Sequence, residues 1–330
     1  MVVVSHSALL GGKTIYELVE PWGFGNTAVM VFFVLSGYII AEALGSFCAG
    51  RVGSFLLNRA LRIVPPYLTA LVVAVAVHYW LYSAGTLSLV DYDALPAGAF
   101  SEQNLLHNVV AIAWVFPLTY FEPIPPYLFV RYLWAVRVEV HFYLAAAFIY
   151  AWQRRTILPL AFLFFATWWV VAFSTGRGNI YYFMFAPHFL LGVSLRYLYR
   201  GYPAAKFAVA VSFVLALIHY ANYVGRNAEA LVAAPTVLYA LFVITVFVLA
   251  KTRVGAAARR IDRWFGDLSY PVYLNHYVVT IAVMSLVKAR NVWVFLMCIP
   301  LSLAVSWLVA QLTEPLTRGV RTRIRGVALG

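Results

Sequence analysis

A chain of 330 residues that is 64% hydrophobic, 17% aromatic and only 11% charged is not a soluble globular domain, which ordinarily carries about 25% charged residues. Basic residues outnumber acidic ones, 24 to 12, for a net charge of +12. In so apolar a chain that excess reads as the basic bias of loops on one membrane face, and not as a nucleic-acid surface. Cys48 and Cys298 each lie in or beside an apolar run, which gives neither a disulfide framework nor metal-ligand spacing.

Ten apolar segments follow one another, at about 1–11, 27–46, 65–84, 132–152, 157–173, 180–199, 205–221, 230–250, 268–287 and 291–312. Unpaired backbone is very costly in lipid, so helix is the expectation for each. The fold class is therefore an all-α, polytopic transmembrane helix bundle of about ten helices. It forms one domain over 1–330 with a long outer loop at about 85–131.

The first segment, "MVVVSHSALL", carries His6 and is about half the length a spanning helix needs. It has no basic n-region or cleavage site, so no secretory signal peptide is read. The expectation is that the first helix is truncated. The second segment contains "VFFVLSGYII", with Ser36, and ends near Glu42, which can reach water at the helix end.

In "NRALRIVPPYL", Arg59 and Arg62 are three apart and share a helix face. Pro65 and Pro66 are expected to end that helix and start the next. Such a basic pair either binds phosphates or anchors the chain to anionic lipids. The outer loop contains "FPLTYFEPIPPYLFVRY". Its proline and aromatic density predicts an ordered cap or re-entrant segment, or an interfacial aromatic belt.

The run "LWAVRVEVHFYL" places Arg137, Glu139 and His141 inside an apolar segment. Ionisable residues in such segments are costly, and default to functional hypotheses. At about 100° per residue, Arg137 and His141 share one face while Glu139 lies nearly opposite, with Val136, Phe142 and Tyr143. Glu139 sits roughly 12 Å from Arg131 at the outer end, and His6 roughly 8 Å from Gly11, so the two match in depth if their helices adjoin. A neutral histidine near a carboxylate is a plausible general base. The bland alternatives are a hydrogen-bonded helix contact for His6 and an ion pair for Glu139. His78, His188 and His219 read as satisfied interhelical residues. His276, in "SYPVYLNHYVV", stands apart from them.

Seventeen of the 24 basic residues fall on loops of one parity, from Arg51, Arg59 and Arg62 to Arg318, Arg321, Arg323 and Arg325. That side is expected to be cytoplasmic, with both termini inside and the protein in the plasma (bacterial inner) membrane.

Several motifs together resemble the membrane acyltransferase type 3 family, integral membrane O-acyltransferases. They are "VVVSHS", "VFFVLSGYII", "NRALRIVPPYL", "LWAVRVEVHFYL", "APHFLLGVSL", "LSYPVYLNHYV" and "LTEPL", in that order nearly end to end. The resemblance implies a bundle of about ten helices and acyl transfer, usually acetyl from acetyl-CoA, onto a hydroxyl. It maps the family's first-helix histidine to His6 and the glutamate of its W-S-x-S-x-E-type segment to Glu139. Its R-x-x-R-I-x-P-x-Y motif maps to Arg59, Arg62, Ile63, Pro65 and Tyr67, and its F-F-x-x-S-G motif to Phe32, Phe33, Ser36 and Gly37.

Two positions depart from the pattern: Arg137 stands for the usual Ser and His141 for a common Gln or Glu. The family's Arg some ten residues before the histidine would precede Met1.

The expectation is then a membrane O-acyltransferase for a carbohydrate or other hydroxyl acceptor, with acyl-CoA as co-substrate, no permanently bound cofactor and no metal. His6 acts as base, and Glu139 supports it or binds the acceptor. Arg59, Arg62, Tyr67 and Ser36 serve acyl-CoA. Trp134, Arg137, His141, Tyr143 and His276 are candidates for the acceptor site or channel. The rival class is a transporter or flippase of a glycan or small molecule, with His6 and Glu139 in a proton or substrate path; no internal repeat supports it.

Overall fold

A computed structural model describes residues 1–46, 48–90, 94–112, 127–152, 184–227, 232–251 and 255–325. Among the described residues the regular structure is helical, with no strand. The α-helices are α1 (Val2–Ser7), α2 (Gly12–Val19), α3 (Phe24–Gly45), α4 (Val52–Ser83), α5 (Glu102–Val110) and α6 (Leu133–Trp152). They continue with α7 (Ala186–Tyr199), α8 (Ala205–Asn227), α9 (Ala233–Lys251), α10 (Ala256–Leu286) and α11 (Val292–Arg325). Among the described residues five helical stretches are long and apolar enough to cross a membrane: Val2–Gly45, Val52–Ser83, Leu133–Ala151, Ala205–Gly225 and Val292–Pro315. The apolar segment expected at 157–173 lies outside the described residues.

Several helices are longer than the apolar runs that announce them. α4 begins before the expected boundary and passes through Pro65 and Pro66 without ending. Each proline removes one helical N–H. Hydroxyls supply donors nearby: Thr69 Oγ1 donates to the Pro65 carbonyl (3.1 Å) and the Tyr270 hydroxyl to the Ile63 carbonyl (3.1 Å). These bonds add to the helix around the proline pair; the carbonyls the prolines leave without an N–H are those of Leu61 and Arg62, four residues back. α10 likewise starts well before residue 268, in an exposed turn bearing Arg259, Arg260, Asp262 and Arg263. Hydropathy finds apolar runs, so it misses helix built from charged residues.

The chain divides into two compact units. The first comprises Met1–Glu20, Leu61–Val136 and Arg253–Val320. Its apolar core joins Leu10 to Val279 and Val283 of α10 and to Val294 and Cys298 of α11. α5 lies in the outer loop, within this unit. Ser101 Oγ caps it by accepting from the Asn104 backbone N–H (3.2 Å). Asn108 holds it down, donating to the Tyr127 carbonyl (2.9 Å) and accepting from the Phe129 N–H (3.1 Å). His78 bonds the Ala74 carbonyl of its own helix (2.7 Å), with Tyr127 and Phe129 edge-on. The rest of the aromatic loop expected to cap the site, 113–126, lies outside the described residues.

The second unit comprises Pro21–Ala60, Arg137–Thr252 and Arg321–Gly330. Its tightest packing is the crossing of α3 and α7. A Cβ on Gly37 would lie 2.1 Å from the Phe189 carbonyl oxygen, and one on Gly192 1.9 Å from that of Val34. Only glycine permits backbones to approach so closely, the familiar role of small residues between apolar helices. Phe33 and Phe142 both stack on Phe189 beside the crossing. A buried polar chain ties α3, α7, α8 and α9: Thr27 to Tyr220 (2.7 Å), His188 to Tyr239 (2.7 Å) and His188 to His219 (3.0 Å). His188 and His219 are thus interhelical polar residues, as expected. Glu42 pairs with Arg196, and Arg200 lies 3.6 Å from the same carboxylate.

Gly192→Leu should therefore destabilise the protein by about 1–3 kcal/mol or prevent folding, because the clash is with backbone. Gly53, which has nothing within 4 Å of a Cβ, should accept alanine within about 0.5 kcal/mol. Thermal unfolding in detergent checks both; equal melting of the two variants would contradict the crossing.

Candidate active site

His6 stands on the last turn of α1, where a short helix runs into a 3-10 turn at Ala8–Gly11. It is half-buried, and its ring is held from two sides within the first unit. Nδ1 lies 2.8 Å from Nε2 of His276, on α10. The Tyr132 ring stacks on it at 3.8 Å between centroids with planes 2° apart. His276 is fully buried, and its Nδ1 faces the carbonyls of Tyr273 (2.8 Å) and Val272 (3.1 Å). Thr280 donates to the His276 carbonyl (2.9 Å). Tyr273 donates its hydroxyl to the backbone carbonyl of Tyr132. One turn of α10 therefore supplies the histidine that bonds His6 and the tyrosine that anchors the stacking ring.

Glu139 belongs to a separate cluster, within the second unit. It is 4% exposed, on α6. Ser36 Oγ on α3 donates to its Oε1 at 2.8 Å, and the Tyr143 hydroxyl, one turn on, donates to the same oxygen. Hydroxyl donors are what a carboxyl group needs once water is excluded. The expected split of α6 into two faces is visible in these bonds. Glu139 meets Ser36 of α3 and Tyr143 meets Phe55 of α4, while His141 Nδ1 bonds the carbonyl of Arg137 (2.6 Å) one turn back on the other face. Arg137 and His141 are both buried, and Trp134 is half-buried on the first turn of the same helix.

Arg59 joins the Glu139 cluster through Tyr143. Its guanidinium lies 5.2 Å from the Tyr143 ring centroid and 5.5 Å from that of Phe55. It is only 4% exposed, and its Nε has no hydrogen-bond partner. Among the described residues no carboxylate comes within 4.0 Å of it. Two aromatic faces offer a cation something, but a buried charge ordinarily demands an anion. Arg62, three residues on, is half-buried. Tyr67 is fully buried, with its hydroxyl donated to the Asn108 carbonyl, so in this arrangement it clamps α5.

A cavity of about 210 Å³ opens in the second unit, beside the same helices. Its walls include Gly37, Phe142 and Phe189, with Tyr150, Tyr197 and Arg200 among its polar lining. Among the described residues no group of histidine, cysteine and carboxylate side chains could hold a metal ion.

Of the candidates read from sequence, the structure brings His6 together with His276, and Glu139 together with Ser36, Tyr143 and Arg59. Sequence reading missed Tyr132 and Tyr273. Aromatic residues are abundant in this chain, 56 by count of its Trp, Tyr and Phe, so nothing marked these two. The only available sign was the one-turn spacing of Tyr273 and His276, which puts both on one face of α10.

These arrangements suit proton transfer at His6 and anion binding at Arg59. A family model described as an acyltransferase domain matches residues 1–311. No curated protein and no solved structure matches the chain. With a match over nearly its whole length, and with several helices apolar and long enough to span a bilayer, the chain belongs to the acyltransferase 3 family of membrane acyltransferases.

Proposed function

We propose that the protein transfers an acyl group, acetyl in the simplest case, from acyl-CoA to a hydroxyl of a carbohydrate or glycan, with His6 as general base. The observation that carries this reading is the mounting of His6. An imidazole in an apolar segment, bonded at one nitrogen and stacked flat on Tyr132, is oriented for proton transfer at the other nitrogen. His6 takes the proton from the acceptor O–H as its oxygen attacks the thioester carbonyl. The C–S bond then breaks, and the proton passes from His6 to the leaving thiolate of CoA. The ring ends as it began, so no cofactor is consumed.

Glu139 is the second catalytic group of this proposal, supporting the base electrostatically or binding the acceptor hydroxyl. Ser36 and Tyr143 hold its carboxyl in one orientation for either task. Arg59, with Arg62 on the same face of α4, takes the phosphates of the donor. The support is that, among the described residues, no carboxylate lies beside so deeply buried a cation. The apolar arm of the donor fits the cavity lined by Phe142 and Phe189. The wider frame of the proposal is a single domain of about ten membrane helices in the plasma (bacterial inner) membrane. The loop charge bias supports cytoplasmic termini and entry of acyl-CoA from that side.

In detergent-solubilised protein, release of the CoA thiol in the presence of a hydroxyl acceptor tests the base. His6→Ala should lower kcat by roughly 10²–10⁴-fold; wild-type turnover by that variant would remove His6 from the chemistry.

Arg59→Met tests the anion site through two opposed effects. The KM for acyl-CoA should rise about tenfold or more, as expected for a lost charge-assisted hydrogen bond. The unliganded protein should at the same time melt higher, because an uncompensated buried charge has gone. An unchanged KM with lowered stability would make Arg59 structural.

A further inference from the structure

The hydrogen bonds around His276 determine which nitrogen of His6 is the base. His276 Nδ1 lies 2.8 Å from the Tyr273 carbonyl and 3.1 Å from the Val272 carbonyl. A carbonyl only accepts, so this nitrogen must carry a proton. In a neutral imidazole the other nitrogen is then bare. That bare Nε2 faces His6 Nδ1 at 2.8 Å. Two bare nitrogens cannot bond, so His6 Nδ1 carries the proton and donates it. The remaining nitrogen of His6, Nε2, is left with its lone pair free. Among the described residues it meets no hydrogen-bond partner. Tyr132 fixes the plane of the ring, so that lone pair has a set direction.

We infer that His276 is a positioning residue that locks His6 in the Nδ1–H tautomer and makes Nε2 the reactive base. The inference rests on the functional reading above and deepens it. When Nε2 of His6 takes the acceptor's proton, the ring becomes an imidazolium with a charge-assisted bond from Nδ1–H to His276. The two backbone carbonyls behind His276 Nδ1–H stabilise that charge in turn. The chain of donors runs His6 to His276 to the α10 backbone, and no proton needs to leave it. In many enzymes a carboxylate fills the position behind a catalytic histidine. Inside an apolar segment a second histidine does the same orienting work without placing a full negative charge there, which is costly in hydrocarbon.

Full-length protein labelled with ¹⁵N-histidine tests the tautomer without any need for turnover. It has seven histidines, and a His6→Gln sample assigns the resonances of His6. The expected spectrum at neutral pH shows His6 protonated at Nδ1 and bare at Nε2; the opposite tautomer would overturn the inference.

Kinetics supply the second arm. His276→Leu removes the acceptor and should lower kcat about 10²-fold or more, with the KM for acyl-CoA unchanged. His276→Gln keeps an amide oxygen near the lost nitrogen and should recover most of that loss. In a His6→Ala background, His276→Leu should cost nothing further, because it acts through His6. Equal kcat for His276→Leu and wild type would contradict the assignment, as would a further loss in the double variant. If His276→Leu does not fold, the wild-type spectrum and the Gln variant decide the question. A wild-type protein with this tautomer but no acyl transfer would uphold the hydrogen-bond assignment and overturn the functional reading.

Discussion

Inside an apolar helix a polar side chain has no water to turn to, so each must be answered by another protein group or by a ligand. This constraint organises both units of the protein. His188, His219, Tyr239, Tyr220 and Thr27 answer one another between helices. Asn104 and Asn108 hold backbone around α5. Ser36 and Tyr143 answer Glu139, and His276 answers His6. Arg59 departs from the rule: it is buried against two aromatic rings with an unbonded Nε and no carboxylate beside it among the described residues. Neutral atoms such as Asn58 Oδ1 and Asn275 Oδ1 also lack a hydrogen-bond partner, but Arg59 carries a full charge, and the proposed function assigns that charge to the phosphates of the donor.

Packing and chemistry are coupled in the second unit. The glycines at 37 and 192 bring the backbones of α3 and α7 to closest approach. Gly37 is the residue after Ser36, so the contact that sets the position of α3 also sets the hydroxyl that meets Glu139. Phe142 stacks on Phe189 at 3.8 Å, three residues beyond Glu139 on α6. The carboxyl group is thus placed by a backbone crossing and a ring stack, and then oriented by two hydroxyls. In the first unit the logic is similar. α10 packs through the Leu10 cluster on the 3-10 turn that follows α1, and that packing helps set the distance from His276 to His6.

Much of this was legible in the residues. Ionisable side chains in apolar runs singled out His6, Glu139, Arg137 and His141, and the 100° turn of a helix separated Glu139 from the other two on α6. The family was legible from the order of several motifs, each weak alone. What sequence could not supply was partnership. Tyr132 lies far from His6 in the chain, and nothing in its local pattern says that it will stack there. His276 was visible as an odd histidine, but its bond to His6 is tertiary. Tyr67, read by motif as a donor-site residue, has its hydroxyl bonded to α5, a loop helix too short and polar for hydropathy to find. The proline pair misled because proline breaks isolated helices, whereas here α4 runs through both residues.

The central claim is that these polar groups carry out acyl transfer in a membrane. Proteoliposomes loaded with doubly labelled acyl-CoA, one label in the acyl group and one in the CoA moiety, test it directly in the presence of a soluble hydroxyl acceptor. The account predicts that the labels part company: acyl ester on the acceptor appears in step with free CoA thiol, in equal amounts. A thioester that stays intact while either compound crosses the bilayer would contradict it.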